Sequence, residues 1–232
     1  MKKLFVSLVL IASTLMLTGQ NIQLHYDMGK DRNYLTSTIE MYKPDQWGST
    51  FYFVDMDYGI SDNLKGVNMV YFEIERGIKF WQAPFEIHFE YQGGFGQYEA
   101  EPFNGAYQIN DAWLTGGQYT FANEDFSRFF TLHVLYKYIR DVEDLSFQIA
   151  GVWELNYFDS KLTFAGFADF WKEPVDYDFD GTTDATYIFI TEPQLWYNFT
   201  KNFSLGSEIE VAHNFIKEGF QVNPTLGVKW RF

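Results

Sequence analysis

Residues 176–184 of the 232-residue chain read DYDFDGTTD. Asp176, Asp178, Asp180 and Asp184 fall at positions 1, 3, 5 and 9 of a calcium-binding loop, with Gly181 at the sharp turn of position 6. Hard oxygen ligands at this spacing suit Ca²⁺. Position 12, which calls for a bidentate Glu, is Tyr187, so a solvated acidic loop is the competing reading. No other cofactor is implied.

A second group of acids recurs on one face of alternating segments: Glu40, Asp55, Asp57, Glu73, Glu75, Glu86, Glu90, Glu154, Asp169, Glu192, Glu208 and Glu210. The same face carries only Lys137, Lys161, Lys229 and Arg231 as bases. Tyr34, Tyr42, Phe51, Phe53, Tyr71, Phe129, Phe167 and Trp196 share it. An enclosed surface of this kind repels anions and stacks flat rings. The candidate ligand contacts are Phe51, Phe53, Asp55, Asp57, Tyr71, Glu73, Glu75, Phe167, Asp169 and Trp196. The plainer reading is that these charges pair or hydrogen-bond across the interior and plug it while the rings simply pack it, and crossed Glu–Lys pairs would mark such a sealed barrel.

Histidines offer acid–base chemistry, and there are four: His25, His88, His133 and His213. Alternation aims His88 and His133 inward at mid-strand. A hydrolase needs a nucleophile beside such a base. No nucleophile-elbow sequence occurs, nor any His-rich metal spacing, so the inward histidines read as hydrogen-bonding filler. A lipid hydrolase at the barrel rim is kept as a remote alternative.

The elements that position these groups are short and alternate strictly. In 85–92, Phe85, Ile87, Phe89 and Tyr91 share one side, while Glu86, His88, Glu90 and Gln92 share the other, as successive strand residues do. Val70, Phe72 and Ile74 oppose Glu73 and Glu75, and Ile209 and Val211 oppose Glu208 and Glu210. Segments at 21–27, 34–42, 50–58, 68–76, 84–92, 107–119, 127–139, 145–157, 160–171, 186–199, 203–213 and 223–232 predict twelve strands. The breaks at 43–49, 158–159 and 200–202 read as short turns, and those at 59–67, 93–106 and 172–185 as long loops. The chain is 21% aromatic, with 25 Phe and 16 Tyr, yet its mean hydropathy is only −0.23. Interleaved apolar and polar residues explain both values, and lipid-facing strands require that interleaving.

Lys2 and Lys3 precede an apolar stretch, Leu4 to Leu17, too short to span a bilayer. Residues 1–20 therefore read as a secretory signal peptide and 21–232 as the mature domain. There is no Cys, so neither a disulfide framework nor a lipid-anchored Cys is available. Without Lys2 and Lys3 the net charge moves from −14 to −16, and no basic patch remains to hold nucleic acid. The final residues LGVKWRF put Leu226, Val228, Trp230 and Phe232 on one side, like the assembly signal that the outer-membrane machinery reads. These features predict an all-β transmembrane antiparallel barrel in the bacterial outer membrane, surrounded by its lipids, since only closure satisfies every strand's backbone in lipid.

Three segments resemble the Tsx-type nucleoside-specific channels of the outer membrane. They are DRNYLTSTIEMYKPDQWGSTFYFVDMDY at 31–58, FEIE at 72–75 and LTFAGFADFW at 162–171. The resemblance implies a twelve-stranded barrel with a narrow lumen admitting nucleosides by passive diffusion, without catalysis. A nucleobase on the inward rings would gain about 1–3 kcal/mol per stacked base, with Gln194, Asn198, Asp55 and Asp57 placed to hold a ribose. A structural barrel with a sealed interior is the alternative.

Overall fold

The computed structural model describes residues 19–30, 32–59, 64, 66–177 and 184–232, apart from the side chains of Asn110 and Asp184. They form thirteen strand segments. In order these are β1 Gln20–Asp27, β2 Leu35–Asp45, β3 Gly48–Tyr58, β4 Val67–Ile78, β5 Phe85–Tyr98, β6 Gly105–Ala122 and β7 Arg128–Ile139. Then come β8 Ser146–Tyr157, β9 Leu162–Val175, β10 Asp184–Thr191, β11 Gln194–Asn198, β12 Phe203–His213 and β13 Phe220–Arg231. Each strand pairs antiparallel with its neighbours, and β1 pairs with β13 from Asn21–Arg231 to Asp27–Thr225, which closes the sheet.

Segments β10 and β11 are two halves of one stave, since both lie between β9 and β12. Pro193 has no N–H to give and interrupts the ladder between them. The Glu192 amide still donates to Phe167 O, and the Ile209 amide donates to Pro193 O. Gly166 lies beside the break at φ 149°, where a Cβ would sit 2.5 Å from the Glu192 carbonyl oxygen, so only Gly fits. The result is a closed antiparallel barrel of twelve staves, as the alternation predicts.

The strand ends differ from expectation mainly at Gly93–Tyr98. These residues, expected in a long loop, continue β5. A bulge between Gln92 and Gly94 absorbs the glycine run and lets pairing with β6 resume at Ile109. Connections at one end are 28–34, 59–66, 99–104, 140–145, 176–183 and 214–219. At the other end are 46–47, 79–84, 123–127, 158–161 and 199–202, together with Gly19 and Phe232. The longest connections thus gather at one rim.

Faces follow from register. Outward residues such as Leu24, Ile39, Val134, Ile149, Leu205 and Val228 make an exposed apolar band. Rings girdle both rims: Trp47, Phe80, Trp81, Phe121, Phe199 and Trp230 near the short turns, and Tyr26, Trp113, Tyr138 and Tyr187 near the long connections. An apolar band between aromatic girdles is the exterior of a membrane-spanning barrel. Strands of 11 or 12 residues, such as β3 and β7, are long enough to cross when tilted. The barrel is therefore a transmembrane one.

Candidate solute-binding lumen

The interior divides into an accessible wall and a packed wall. On the accessible wall, Asp55 of β3 pairs with Tyr71 of β4, Phe53 with Glu73, and Phe51 with Glu75. Register therefore turns all six side chains inward. Phe53 lies 6.1 Å from Phe51 and 5.9 Å from Tyr71 between ring centroids, forming a slanted aromatic row. The acids are held beside it. The Tyr71 hydroxyl donates to Glu73 (2.6 Å), and the Thr38 hydroxyl donates to Asp55 (2.5 Å). The Thr36 hydroxyl donates to Asp57 (2.6 Å). Phe51, Phe53, Asp55, Tyr71, Glu73 and Glu75 stay only half-buried although the barrel encloses them, whereas Asp57 is buried.

Acids from the opposite staves converge on this strip. Glu192 lies within Coulombic range of Glu208, Glu210, Asp55 and Asp169, and Glu73 within range of Glu90 and Asp169. Glu208 accepts from Gln194 (2.5 Å) and Asp169 from Gln148 (3.3 Å). Most of these carboxylates are satisfied by neutral donors rather than by Lys or Arg. Crossed Glu–Lys pairs, the signature expected of a sealed interior, are thus largely replaced by amide and hydroxyl contacts.

The packed wall holds Trp196, whose ring is 0% exposed. The Lys229 ammonium stands 4.3 Å from its centroid and the His25 ring 5.6 Å away, edge-on. Its Nε1 donates to Gln194 (2.8 Å). Trp196, expected as a ligand contact, points inward but offers no free face. Phe167 likewise points inward and packs on an apolar group of Trp171, Ile188, Ile190 and Ala212. A second inward group joins Ala112, Leu114, Leu135 and Ile139. Inward rings among polar residues were expected; the aliphatic members of these two groups, such as Leu114, Leu135, Ile188 and Ile190, fill part of the interior as well.

At the rim with the long connections, Arg32 reaches into the mouth. Its guanidinium gives Glu210 two bonds (3.0 and 3.1 Å) and Asp27 one (3.0 Å). Burial beneath this connection, reinforced by Asp57, pushes the Tyr34 phenol above its ordinary range, so it remains a donor. Alternation could not find Arg32, which lies outside any strand. His25, by contrast, follows the polar period of Asn21, Gln23 and Asp27, and Trp171 that of Phe167 and Asp169.

Of the expected calcium ligands, Asp178 and Asp180 lie outside the described residues, as does the Asp184 side chain, while Asp176 precedes that segment. His88 bonds Gln118 and Glu90 and contacts the His133 ring. Among the described residues, no Ser hydroxyl bonds either histidine.

No curated protein sequence matches the chain. Among solved structures, the chain is similar to the NanC porin at 12% identity, with 92% of this chain and all of that one covered and a TM-score of 0.56. It is also similar to the outer-membrane protein Omp33 of Acinetobacter baumannii (13% identity, 94% of this chain and 100% of that chain covered, TM-score 0.43). A third is the translocator domain of autotransporter NalP from Neisseria meningitidis (10% identity, 98% and 95% covered, TM-score 0.45). At such identity the likeness to NanC speaks for the fold, that of a closed outer-membrane barrel. The family described as Domain of unknown function (DUF5020) matches residues 19–232, and the chain belongs to that family.

Proposed function

We propose that this protein is an outer-membrane channel for passive uptake of small neutral solutes, with nucleosides as the preferred class. The observation that carries the reading is the half-buried strip of Phe51, Phe53 and Tyr71 beside Asp55, Glu73 and Glu75, which keeps aromatic and acidic surface accessible inside a closed barrel. Rings there stack a base at about 1–3 kcal/mol each. The surplus of lumen acids holds anions out, and several weak contacts let the solute leave. In this reading the short turns, Gly19 and Phe232 face the periplasm and the long connections face outward. Lipid covers the apolar band, and Phe232 serves the assembly machinery.

One observation favours a second reading, a sealed structural barrel. Trp196 and the apolar group around Trp171 fill the wall opposite the strip, and the second apolar group packs the inner face of β6 and β7. Liposome swelling with adenosine, a sugar of similar size and a nucleotide separates the two. Faster swelling with adenosine than with the sugar, and least with the nucleotide, supports the nucleoside channel. Equal adenosine and sugar rates remove the preference, and absence of swelling favours the sealed barrel.

A further inference from the structure

We propose that Glu75, His88, Glu90 and His133 form a binding site inside the barrel for a divalent first-row transition metal ion such as Zn²⁺. One ligand atom from each lies within 4.8 Å of all the others. They come from β4, β5 and β7, and register brings them together. Glu75 is the cross-strand partner of Glu90, and His88 is the partner of Gly116. With no side chain at Gly116, the His88 ring reaches across β6 to the His133 ring, at 4.7 Å between centroids.

The hydrogen bonds around His88 leave a place that only a cation can fill. The Gln118 amide nitrogen donates to Glu86 (3.1 Å) and Ser49 (3.3 Å), which fixes its orientation. Its Oε1 therefore faces His88 Nδ1, at 2.6 Å, and must accept a hydrogen from it. A neutral imidazole protonated at Nδ1 has a bare lone pair at Nε2. That lone pair points at Glu90 Oε2, another acceptor, 2.8 Å away. Either a proton or a metal ion must sit between them.

Two further ligands favour the metal. His133 converges on the same point, and among the described residues no hydrogen bond reaches the Glu75 carboxylate. Two carboxylates and two neutral imidazoles balance a divalent charge. Zn²⁺ bonds of about 2.0–2.2 Å place tetrahedral donors roughly 3.3 Å apart, so modest side-chain rotations close the present spacing around an ion. The imidazoles favour Zn²⁺, Ni²⁺ or Cu²⁺ over Ca²⁺ and Mg²⁺. Gln118 on His88, and Gln92 on Glu90 Oε1 (2.5 Å), supply the outer hydrogen bonds that orient metal ligands. The site stands whether or not solutes pass through the barrel.

The test uses the full barrel, purified in detergent and stripped with a chelator. Zn²⁺ is titrated against a chromophoric competitor, and bound metal is counted by elemental analysis. Wild type should take up a single Zn²⁺ per chain that excess Ca²⁺ does not displace, and Co²⁺ should give tetrahedral visible bands. H88A/H133A should lose this uptake, while H25A, which removes a buried histidine outside the cluster, should keep it. Q118L should weaken affinity about 10–100-fold. The heat-modifiable gel band reports folding, and E75Q and H133Q repeat the test should the double variant not fold. Absence of stoichiometric uptake by wild type, or equal uptake by folded H88A/H133A or by E75Q and H133Q, overturns the proposal.

Discussion

Lys229 holds its ammonium 4.3 Å from the ring centroid of Trp196, and both side chains are buried inside the barrel. A cation on an indole face away from water contributes about 2 kcal/mol or more. The pair, with His25 at the ring edge, builds the packed wall against which the accessible strip stands. Trp196→Ala should therefore destabilise the barrel by about 3–5 kcal/mol, the usual penalty for emptying a large buried ring site. It should also raise swelling rates for every solute. The melting temperature of the heat-modifiable form and liposome swelling check the two halves; a loss of stability with unchanged swelling would place Trp196 away from the passage.

Depth in the membrane should grade the effect of outward cations. Val134 lies mid-strand on β7 and is 59% exposed on the outer face. Phe89 pairs with Arg76, close to the short-turn rim, where Arg76 already bonds Asp45. Val134→Lys should destabilise by about 2–4 kcal/mol and Phe89→Lys by no more than about 1 kcal/mol. Unfolding titrations in lipid measure both. Equal losses would mean that the apolar band is centred elsewhere.

Asp55 shares its Coulombic neighbourhood with Asp57, Glu40 and Glu208. Asp55→Asn removes a lumen charge while keeping a group able to accept from Thr38. Cation preference should fall, seen as a reversal potential closer to zero under a salt gradient. An unchanged potential would show that Asp55 does not line the ion path.

Arg32 ties the mouth together through Asp27 and Glu210. Arg32→Ala leaves two acids facing each other without their cation. Removing one partner of such a largely buried group costs about 3–5 kcal/mol. Conductance should rise as the mouth loosens, and single-channel recording tests this. A stable variant of ordinary conductance would make Arg32 a surface contact only.

The fold was legible because each strand has one environment per face. The alternation in 85–92 assigns Phe89 outward and Glu90 inward without any knowledge of neighbours, and register agrees. Where local signals compete, reading fails: the glycines at 93–96 look like a loop, yet a bulge keeps them in β5. Proline at 193 divides a stave that the sequence presents as continuous. The accessible strip was legible for the same reason as the strands, since Phe53, Asp55 and Glu73 have inward parity. Accessibility was not, because whether Trp196 is open or covered depends on Lys229 and His25 from staves distant in sequence. The four-residue cluster at His88 was illegible for that reason too, as its members are spread over β4, β5 and β7 with no motif spacing.

The pairing of β1 with β13 joins the earliest and latest parts of the cylinder. Leu24 cannot find Val228 until nearly the whole chain is present, so the wall completes in a single late event rather than growing stable piece by piece. Until that moment two ribbon borders have unmet amides and carbonyls, which oil cannot tolerate. Shortening the chain by its last stave would therefore forfeit the entire cylinder and not merely one-twelfth of it.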